Sequence, residues 1–260
     1  MTASTFRDLH RPGHPLRLVN VWDAGSAIAA ERAGAAALGT TSAGMAWALG
    51  LPDGDHLTST LLLPVVRRIC AAVRIPVSVD LESGYGRTLG AVRHLVRRVA
   101  EAGAAGINLE DGTRSPAQFA ARIAAATSAA PSIFVNARTD VVLRGLVPAK
   151  DQLAELRRRA ALYRDAGADG LFVPGLLDPD LVAELTATVD LPVNVMAGPG
   201  APSVARLAEA GVARVSLGSS TAQAALSLVR RSTEDLVTAG VYDAATDIDD
   251  YRTVDGLFSR

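Results

Sequence analysis

Apolar residues come in short runs along this chain, separated by longer stretches of mixed character. Eight runs read as strands: residues 17–21, 36–41, 77–82, 106–110, 133–137, 170–173, 193–196 and 214–217. Helical stretches stand between them, among them 89–102, 149–166 and 203–210. One junction recurs four times, as Glu31-Arg32-Ala33-Gly34-Ala35, Glu101-Ala102-Gly103-Ala104-Ala105, Asp165-Ala166-Gly167-Ala168-Asp169 and Glu209-Ala210-Gly211-Val212-Ala213. Each follows a helical segment and precedes an apolar run, and its glycine suits a left-handed helix stop. Strand then helix, repeated, makes parallel strands. Eight such units predict an α/β fold closed into a (β/α)8 TIM barrel. No Gly-x-Gly-x-x-Gly turn follows an early strand, which argues against a dinucleotide fold. Residues 220–238 read as a last helix, and 243–250 as a polar cluster beyond it. No linker divides the chain, so 1–260 is expected to be one barrel domain, with 220–260 as C-terminal helix and tail.

The third run carries the densest chemistry. Residues two apart share a face of an extended strand, so Val77, Val79 and Leu81 point one way. Asp80 and Glu82 point the other way, just before Ser83-Gly84-Tyr85-Gly86. Two adjacent acids repel, which calls for a cation between them. A second acidic strand end, Leu109-Glu110-Asp111, follows one helix-length later. Hard oxygen ligands without a His or Cys cluster point to Mg2+, with Mn2+ open, rather than zinc. One direct ligand, Asp80, with Glu82 and Glu110 acting through water, fits that ion.

In barrels of this kind the active site lies at the C-terminal strand ends. Asp23, Thr41, Ser42, Asn136, Arg138, Asp140, Asn194, Ser216 and Ser219 all fall there. The planar fork of Arg138 suits a carboxylate or phosphonate; a salt bridge to Asp140 or Glu110 is its structural alternative. The small, glycine-bounded run from Gly39 to Ala46 offers backbone N–H groups to an anionic oxygen, although a plain tight turn would look the same.

Composition narrows the rest. Of 260 residues 49% are hydrophobic and only 4% aromatic, so the core is built from small aliphatic side chains. The net charge of -1 gives no bulk field toward nucleic acid or an anionic membrane. Cys70 is the single cysteine and falls in the helical stretch 65–73, where it reads as core. Lys150 is the single lysine. No signal-type or membrane-spanning apolar run is present, and a cytoplasmic protein is the expectation.

Taken in order, several segments resemble the isocitrate lyase/phosphoenolpyruvate mutase superfamily. They are Asn20-Val21-Trp22-Asp23-Ala24-Gly25-Ser26-Ala27, Thr41-Ser42-Ala43-Gly44, Leu49-Gly50-Leu51-Pro52-Asp53, Asp80-Leu81-Glu82-Ser83-Gly84-Tyr85-Gly86, Gly106-Ile107-Asn108-Leu109-Glu110-Asp111 and Asn136-Ala137-Arg138-Thr139-Asp140. The resemblance runs from about residue 15 to about residue 240. It implies a Mg2+-dependent barrel that binds small 2-oxo or 2-hydroxy acids and passes through a metal-stabilised enolate. By analogy Asp80 binds Mg2+, while Asp53, Glu82 and Glu110 hold its waters. Ser42, Ala43 and Gly44 bind substrate oxygens, Arg138 a substrate carboxylate, and Asn194 joins the substrate pocket. The family often exchanges its last helix between subunits, which implies a homo-oligomer, tetramer or dimer.

The departures are as telling. Cleaving members carry a Lys-Lys/Arg-Cys-Gly-His loop after the Glu-Asp strand, where this chain has Gly112-Thr113-Arg114-Ser115-Pro116-Ala117-Gln118-Phe119. The gating-loop lysine of the mutases is also missing. The retained parts imply a carbon–carbon lyase, oxaloacetate decarboxylase-like or methylisocitrate lyase-like. The proton donor would be water, Tyr85, His56 or a residue of a closing 112–129 segment. Carbon–phosphorus chemistry (a phosphoenolpyruvate or carboxyphosphonate mutase, or a phosphonopyruvate hydrolase) is the alternative, and a non-catalytic Mg2+–carboxylate binding protein the next.

Overall fold

The computed structural model describes residues 3–259. Eight parallel strands close into a barrel in sequence order: β1 (Leu16–Val21), β2 (Leu38–Thr40), β3 (Val77–Asp80), β4 (Gly106–Glu110), β5 (Phe134–Arg138), β6 (Gly170–Phe172), β7 (Val193–Met196) and β8 (Arg214–Ser216). All eight expected strands are present, and the (β/α)8 expectation holds. The repeated junction works as read: Gly34, Gly103, Gly167 and Gly211 take φ values of 92°, 100°, 99° and 80°. Any residue with a Cβ is strained there.

Helices α1 (Ala3–Asp8), α2 (Ala24–Arg32), α3 (Ser42–Ala48), α4 (Ser59–Ala72), α5 (Leu89–Glu101), α6 (Pro116–Ala129), α7 (Gln152–Asp165), α8 (Pro179–Thr186), α9 (Val204–Glu209), α10 (Ser220–Glu234) and α11 (Tyr251–Gly256) complete the chain. The helix α5 shows why they sheath the strands. Thr88 caps it by accepting from the Ala91 N–H, and Val92, Leu95, Val96 and Val99 repeat at helical spacing and are buried. Each such side chain contributes about 1.5–3 kcal/mol by leaving water. A charge at Val96, fully buried, would break the contact.

Two apolar clusters result. The larger lies between strands and helices and includes Val79, Ile107, Leu109, Val135 and Leu171. The smaller fills the floor of the barrel with Phe6, Leu16, Leu18, Ala37, Ala105 and Phe134. Above that floor the interior turns polar: Asn136 donates to Asn108 (3.0 Å) and to Asn194 (3.1 Å).

Two expectations are corrected. The third strand ends at Asp80, and Glu82 stands in a turn with φ 47°. Its backbone still pairs with β4, since the Glu110 N–H donates to the Glu82 carbonyl at 2.8 Å. Strand alternation therefore does not put Glu82 beside Asp80; a left-handed turn does. The 112–129 segment is not a closing loop. Residues 116–129 form α6, capped by Ser115 and Gln118, with Phe119, Ile123 and Ala126 buried. Only residues 111–115 link it to β4. The expected last helix is α10 with a π turn over Asp235–Ala239. Cys70 packs against the core, and burial pushes its thiol up to about 11.

Candidate active site

At the C-terminal mouth, β3 presents Asp80. Its N–H donates to Thr40 Oγ1 (2.9 Å). Its Oδ2 accepts from Ser42 Oγ (2.8 Å) and Ser42 N (3.2 Å), and its Oδ1 accepts from Glu82 N (3.3 Å). The neighbouring turn is held from behind. Arg122 of α6 donates to the carbonyls of Ser83 (2.8 Å) and Gly86 (2.9 Å), and Gly84 takes φ 95°. Glu82, 5% exposed, accepts from Tyr85 OH (2.8 Å) and from the Asp55 N–H. Burial pushes its pKa up to about 7, against those hydrogen bonds.

Glu110 ends β4 and is also driven up, to about 8. Burial is the main cause, Arg138 opposes it, and Asp80 and Asp140 add to it. Arg138 ends β5 and meets both acids foreseen for it: Nη1 donates to Glu110 Oε2 (2.8 Å) and Nε to Asp140 Oδ1 (2.7 Å). Burial works against its charge, but Glu110, Asp140 and Asp80 outweigh it and hold the guanidinium firmly protonated. Behind it runs a braced chain. Asp140 takes Arg144 Nε at 2.7 Å, and its N–H donates to Asp111 at 2.9 Å. Asp111, fully buried, accepts from Arg159 (2.5 Å) and Tyr163 OH (2.7 Å).

These groups surround a cavity of about 230 Å³. Asp80, Asp53, Ser42, Ala43 and Arg138 line it, with Asn20, Asn108, Leu143, Phe172, Met196 and Ser216 among its other walls. Glu82 and Glu110 stand behind that lining and reach it through Asp80 and Arg138. A cavity of about 700 Å³ lies between α2 and β1. It is lined mainly by small and apolar residues and holds none of this chemistry.

Two expected substrate residues, Gly44 and Asn194, and two expected proton donors, Tyr85 and His56, are absent from the cavity lining. The Gly44 N–H donates to Thr41 Oγ1 (3.3 Å), and its missing Cβ makes room for Ala222 and Trp22. Asn194 is 1% exposed and donates to the Val195 and Arg214 carbonyls and to Ser216 Oγ, so its amide serves the barrel interior. Tyr85 turns its hydroxyl to Glu82, and burial, with Asp80 and Glu82 nearby, raises its pKa and keeps the proton on. His56 is exposed and away from the lining.

Sequence reasoning missed Arg122, Asp55 and Asn20. Arg122 carried a signal: it repeats with Phe119, Ile123 and Ala126 on the buried face of a helix. Asn20 accepts from the N–H groups of Leu217 and Gly218 at 3.0 Å and so fixes the loop after β8. Nothing in its local pattern announces that.

Among the described residues no three His, Cys, Asp or Glu side chains converge closely enough to cage a metal. The donor set nevertheless fits a hard divalent ion. Buried Glu82 and half-buried Asp80 and Glu110 stand around the Arg138 guanidinium, and apart from the Met196 thioether the lining offers oxygen donors. Mg2+ takes one or two protein carboxylates and keeps its waters, which needs no cage.

The phosphoenolpyruvate phosphomutase family model matches residues 6–237. The chain belongs to the isocitrate lyase/phosphoenolpyruvate mutase superfamily. A 2-methylisocitrate lyase of Salmonella typhimurium is 32% identical over 212 residues, 71% of this chain and 70% of the relative. A structure from Burkholderia cenocepacia described as a phosphonomutase matches with TM-score 0.86 and 45% identity, over 90% of this chain and 99% of that one. A phosphonopyruvate hydrolase solved with oxalate and Mg2+ shares the fold, with TM-score 0.84, 24% identity, and 99% of this chain and 95% of that one covered. The relatives named in this family are lyases and mutases. No helix among the described residues is long and apolar enough to cross a membrane.

Proposed function

We propose that this protein is a Mg2+-dependent carbon–carbon lyase acting on a small 2-oxo or 2-hydroxy acid by way of an enolate. One observation carries the reading: Asp80 and Arg138 line the cavity at the barrel mouth, with Glu110 paired to Arg138 and Glu82 in the turn just after Asp80. Asp80 would hold the metal, and Asp53, Glu82 and Glu110 its waters. The bound ion would polarise the substrate carbonyl and take up charge on the developing oxyanion. The oxalate and Mg2+ held by the phosphonopyruvate hydrolase support a site for a planar two-oxygen acid.

The chain's own residues do the positioning. Arg138, braced by Asp140, offers its remaining N–H groups to the substrate carboxylate. Ser42 keeps Asp80 oriented by two hydrogen bonds. The carbon–carbon bond breaks with its electron pair left on the carbon next to the carbonyl; the other fragment departs as carbon dioxide from a carboxylate or as a carbonyl compound from a hydroxyl-bearing carbon, and the carbon that keeps the pair takes a proton. Among the described residues no Tyr, His, Cys or Lys lines the cavity, and in this reading water supplies the proton.

Calorimetry with oxalate, with and without Mg2+, tests the site, and a panel of 2-oxo and 2-hydroxy acids tests turnover. Oxalate binding that ignores Mg2+, or turnover that survives Asp80→Ala, would sink the reading. The likeness to a protein described as a phosphonomutase favours carbon–phosphorus chemistry as the second reading. Phosphate released from phosphonopyruvate, with no 2-oxo acid cleaved, would establish it.

We also propose that α10 pairs between subunits. It buries only Ala222 and leaves Leu226 and Val229 exposed, with Leu236 and Val237 exposed just beyond it. The 700 Å³ trough between α2 and β1, with Leu9, Leu16, Val19, Ala30 and Ala33 in its walls, suits such a helix. A monomer mass in light scattering would remove this proposal.

A further inference from the structure

Resting on the reading of this mouth as a Mg2+ site for a small acid, we infer that Asn108 binds the acid. Its side-chain amide donates to an anionic oxygen of the ligand, and the buried Arg214 beneath it is the positioning residue. Alternation brings the two together. Asn108 and Glu110 share the inner face of β4, with Asn108 one layer deeper. There it is in register with Asp80 of β3 and Asn136 of β5. Arg214 opens β8 in register with Asn194.

Two independent partners fix which way the Asn108 amide faces. Asn194 Nδ2 donates to the Val195 and Arg214 carbonyls at 2.8 and 3.1 Å, so Oδ1 is the end that it turns to Asn136. Asn136 must meet that oxygen with Nδ2, at 3.1 Å, and the same nitrogen reaches Asn108 at 3.0 Å. Arg214, which can only donate, reaches Asn108 at 3.4 Å. Both neighbours therefore require Oδ1 on the inner side of Asn108. Its Nδ2 is left for the cavity, which Asn108 lines, and it has no partner among the described residues. The other amide of the lining is spent: Asn20 donates to the Thr40 carbonyl and accepts from Leu217 and Gly218.

Arg214 supplies the charge. It is 1% exposed, is absent from the lining, and its Nε and Nη1 have no partner among the described residues. Burial lowers its pKa to about 9 while Asp80 opposes the shift, so the guanidinium stays protonated at neutral pH. A buried cation with one neutral acceptor is costly. Here its field is directed at the site: it acts on Asp80 and pulls electron density toward Asn108 Oδ1. A hydrogen-bonded amide polarised at its oxygen donates more strongly from its nitrogen. The cation that cannot touch the ligand thus reaches it through Asn108, from a preorganised, desolvated position. Arg138 meets the acid from the mouth, and Asn108 meets it from below.

The test is calorimetry of oxalate binding at saturating Mg2+, with Mg2+ affinity and melting temperature measured alongside. Asn108→Leu should weaken oxalate about tenfold or more, the loss of a hydrogen bond to a charged group, and leave Mg2+ affinity within about twofold. Asn108→Asp keeps the shape and turns an anion toward the ligand, so oxalate should weaken about a hundredfold or more. The same variant gives Arg214 a carboxylate, so it should melt no lower than the parent and hold Mg2+ at least as well. Arg214→Met should also melt no lower than the parent. It should weaken oxalate about fivefold in the parent and less than about twofold in Asn108→Leu, because its effect passes through the amide. Oxalate affinity unchanged in Asn108→Leu or Asn108→Asp overturns the inference, as does a matching loss of Mg2+ affinity. An Arg214→Met effect of equal size in both backgrounds overturns the role of Arg214. If the parent fails to bind oxalate with Mg2+, the reading of the mouth falls and this inference with it. If the parent binds and the Asn108 variants bind equally well, the mouth reading stands and only this inference falls.

Discussion

The two ends of the barrel both bury ionisable groups, but they balance them differently. At the floor Phe6 of α1 plugs the barrel, edge-on to Phe134 at 5.5 Å, while His10 stacks on Phe134 at 4.2 Å. His10 Nδ1 lies 2.9 Å from the Phe6 carbonyl, which can only accept, so Nδ1 carries the proton. Burial, with the Arg214 charge beside it, drives that imidazole down to about 3 and keeps it neutral. Glycine at 106 admits the plug, since a Cβ there would stand 2.7 Å from the Phe6 ring. The mouth instead concentrates carboxylates around one guanidinium. The floor is arranged for stability, and the mouth gives up stability to hold charge that a ligand must balance.

That contrast breaks most visibly under substitution. Asp80→Ala should lower turnover by about three orders of magnitude, roughly 4 kcal/mol. Its melting temperature should stay level or rise, because one of several crowded acids is gone. Phe6→Ala should do the reverse: lose about 3 kcal/mol of stability, the low end for a buried Phe, with kcat per folded molecule unchanged. Urea unfolding and active-site-normalised kinetics measure the two together. If Asp80→Ala unfolds as readily as Phe6→Ala, the division between the ends is wrong.

Arg122→Met sits between these cases. It leaves the Ser83 and Gly86 carbonyls unpaired, for a cost of about 1–3 kcal/mol. It also loosens the turn that presents Glu82. Mg2+ titration of the variant should show an affinity about tenfold weaker, while Arg144→Met, outside the turn, leaves it unchanged. Equal effects from both would mean that Arg122 is merely structural.

Periodicity made the barrel legible, because each unit repeats the same local demands. An amphipathic helix, a left-handed glycine and an apolar strand can each be seen within about ten residues. The acids of the mouth were visible because charge inside an apolar strand needs a reason. The interior was not visible. Asn108, Asn136 and Asn194 meet only after closure, so no local pattern shows that the Asn136 amide joins the other two, or that Asn20 spans the Thr40 carbonyl and the Leu217 and Gly218 N–H groups. The same is true of the turn after Asp80. Its alternation looks like continued strand, and the feature that ends it, Arg122, lies on α6. Asn194 is turned to the interior by such partners, the Val195 and Arg214 carbonyls and Ser216 Oγ, whereas the Gly44 N–H is taken locally by Thr41, three residues back.

The smallest effect is also the sharpest test of the two-ended picture, because the ends titrate in opposite directions. At the mouth Glu82 and Glu110 rise from 4.5 to about 7 and about 8 in the folded, metal-free protein. A carboxyl raised on folding binds its proton more tightly in the native state, so its stability is present below about 4.5 and is lost as pH climbs through 7 to 8. At the floor His10 falls from 6.5 to about 3. The unfolded chain then binds the extra proton, and stability is lost as pH drops below 6.5. Glu155, lowered to about 2 by Arg158 and Arg159, adds to that acid limb only below 4.5. Each limb should move the melting temperature by about 2–4 °C per kcal/mol, with about 1.4 kcal/mol per pH unit for a single group. With chelator present, Glu82→Gln should make the loss of stability with rising pH between 4.5 and 7 shallower, whereas His10→Gln, which removes the one opposing slope, should make it steeper between 4.5 and 6.5. Added Mg2+ favours ionised carboxylates, so its stabilisation should grow from pH 5 to pH 8 in the parent and grow less in Glu82→Gln. A Mg2+ effect that is independent of pH would separate the ion from these acids and leave the mouth without its defining property.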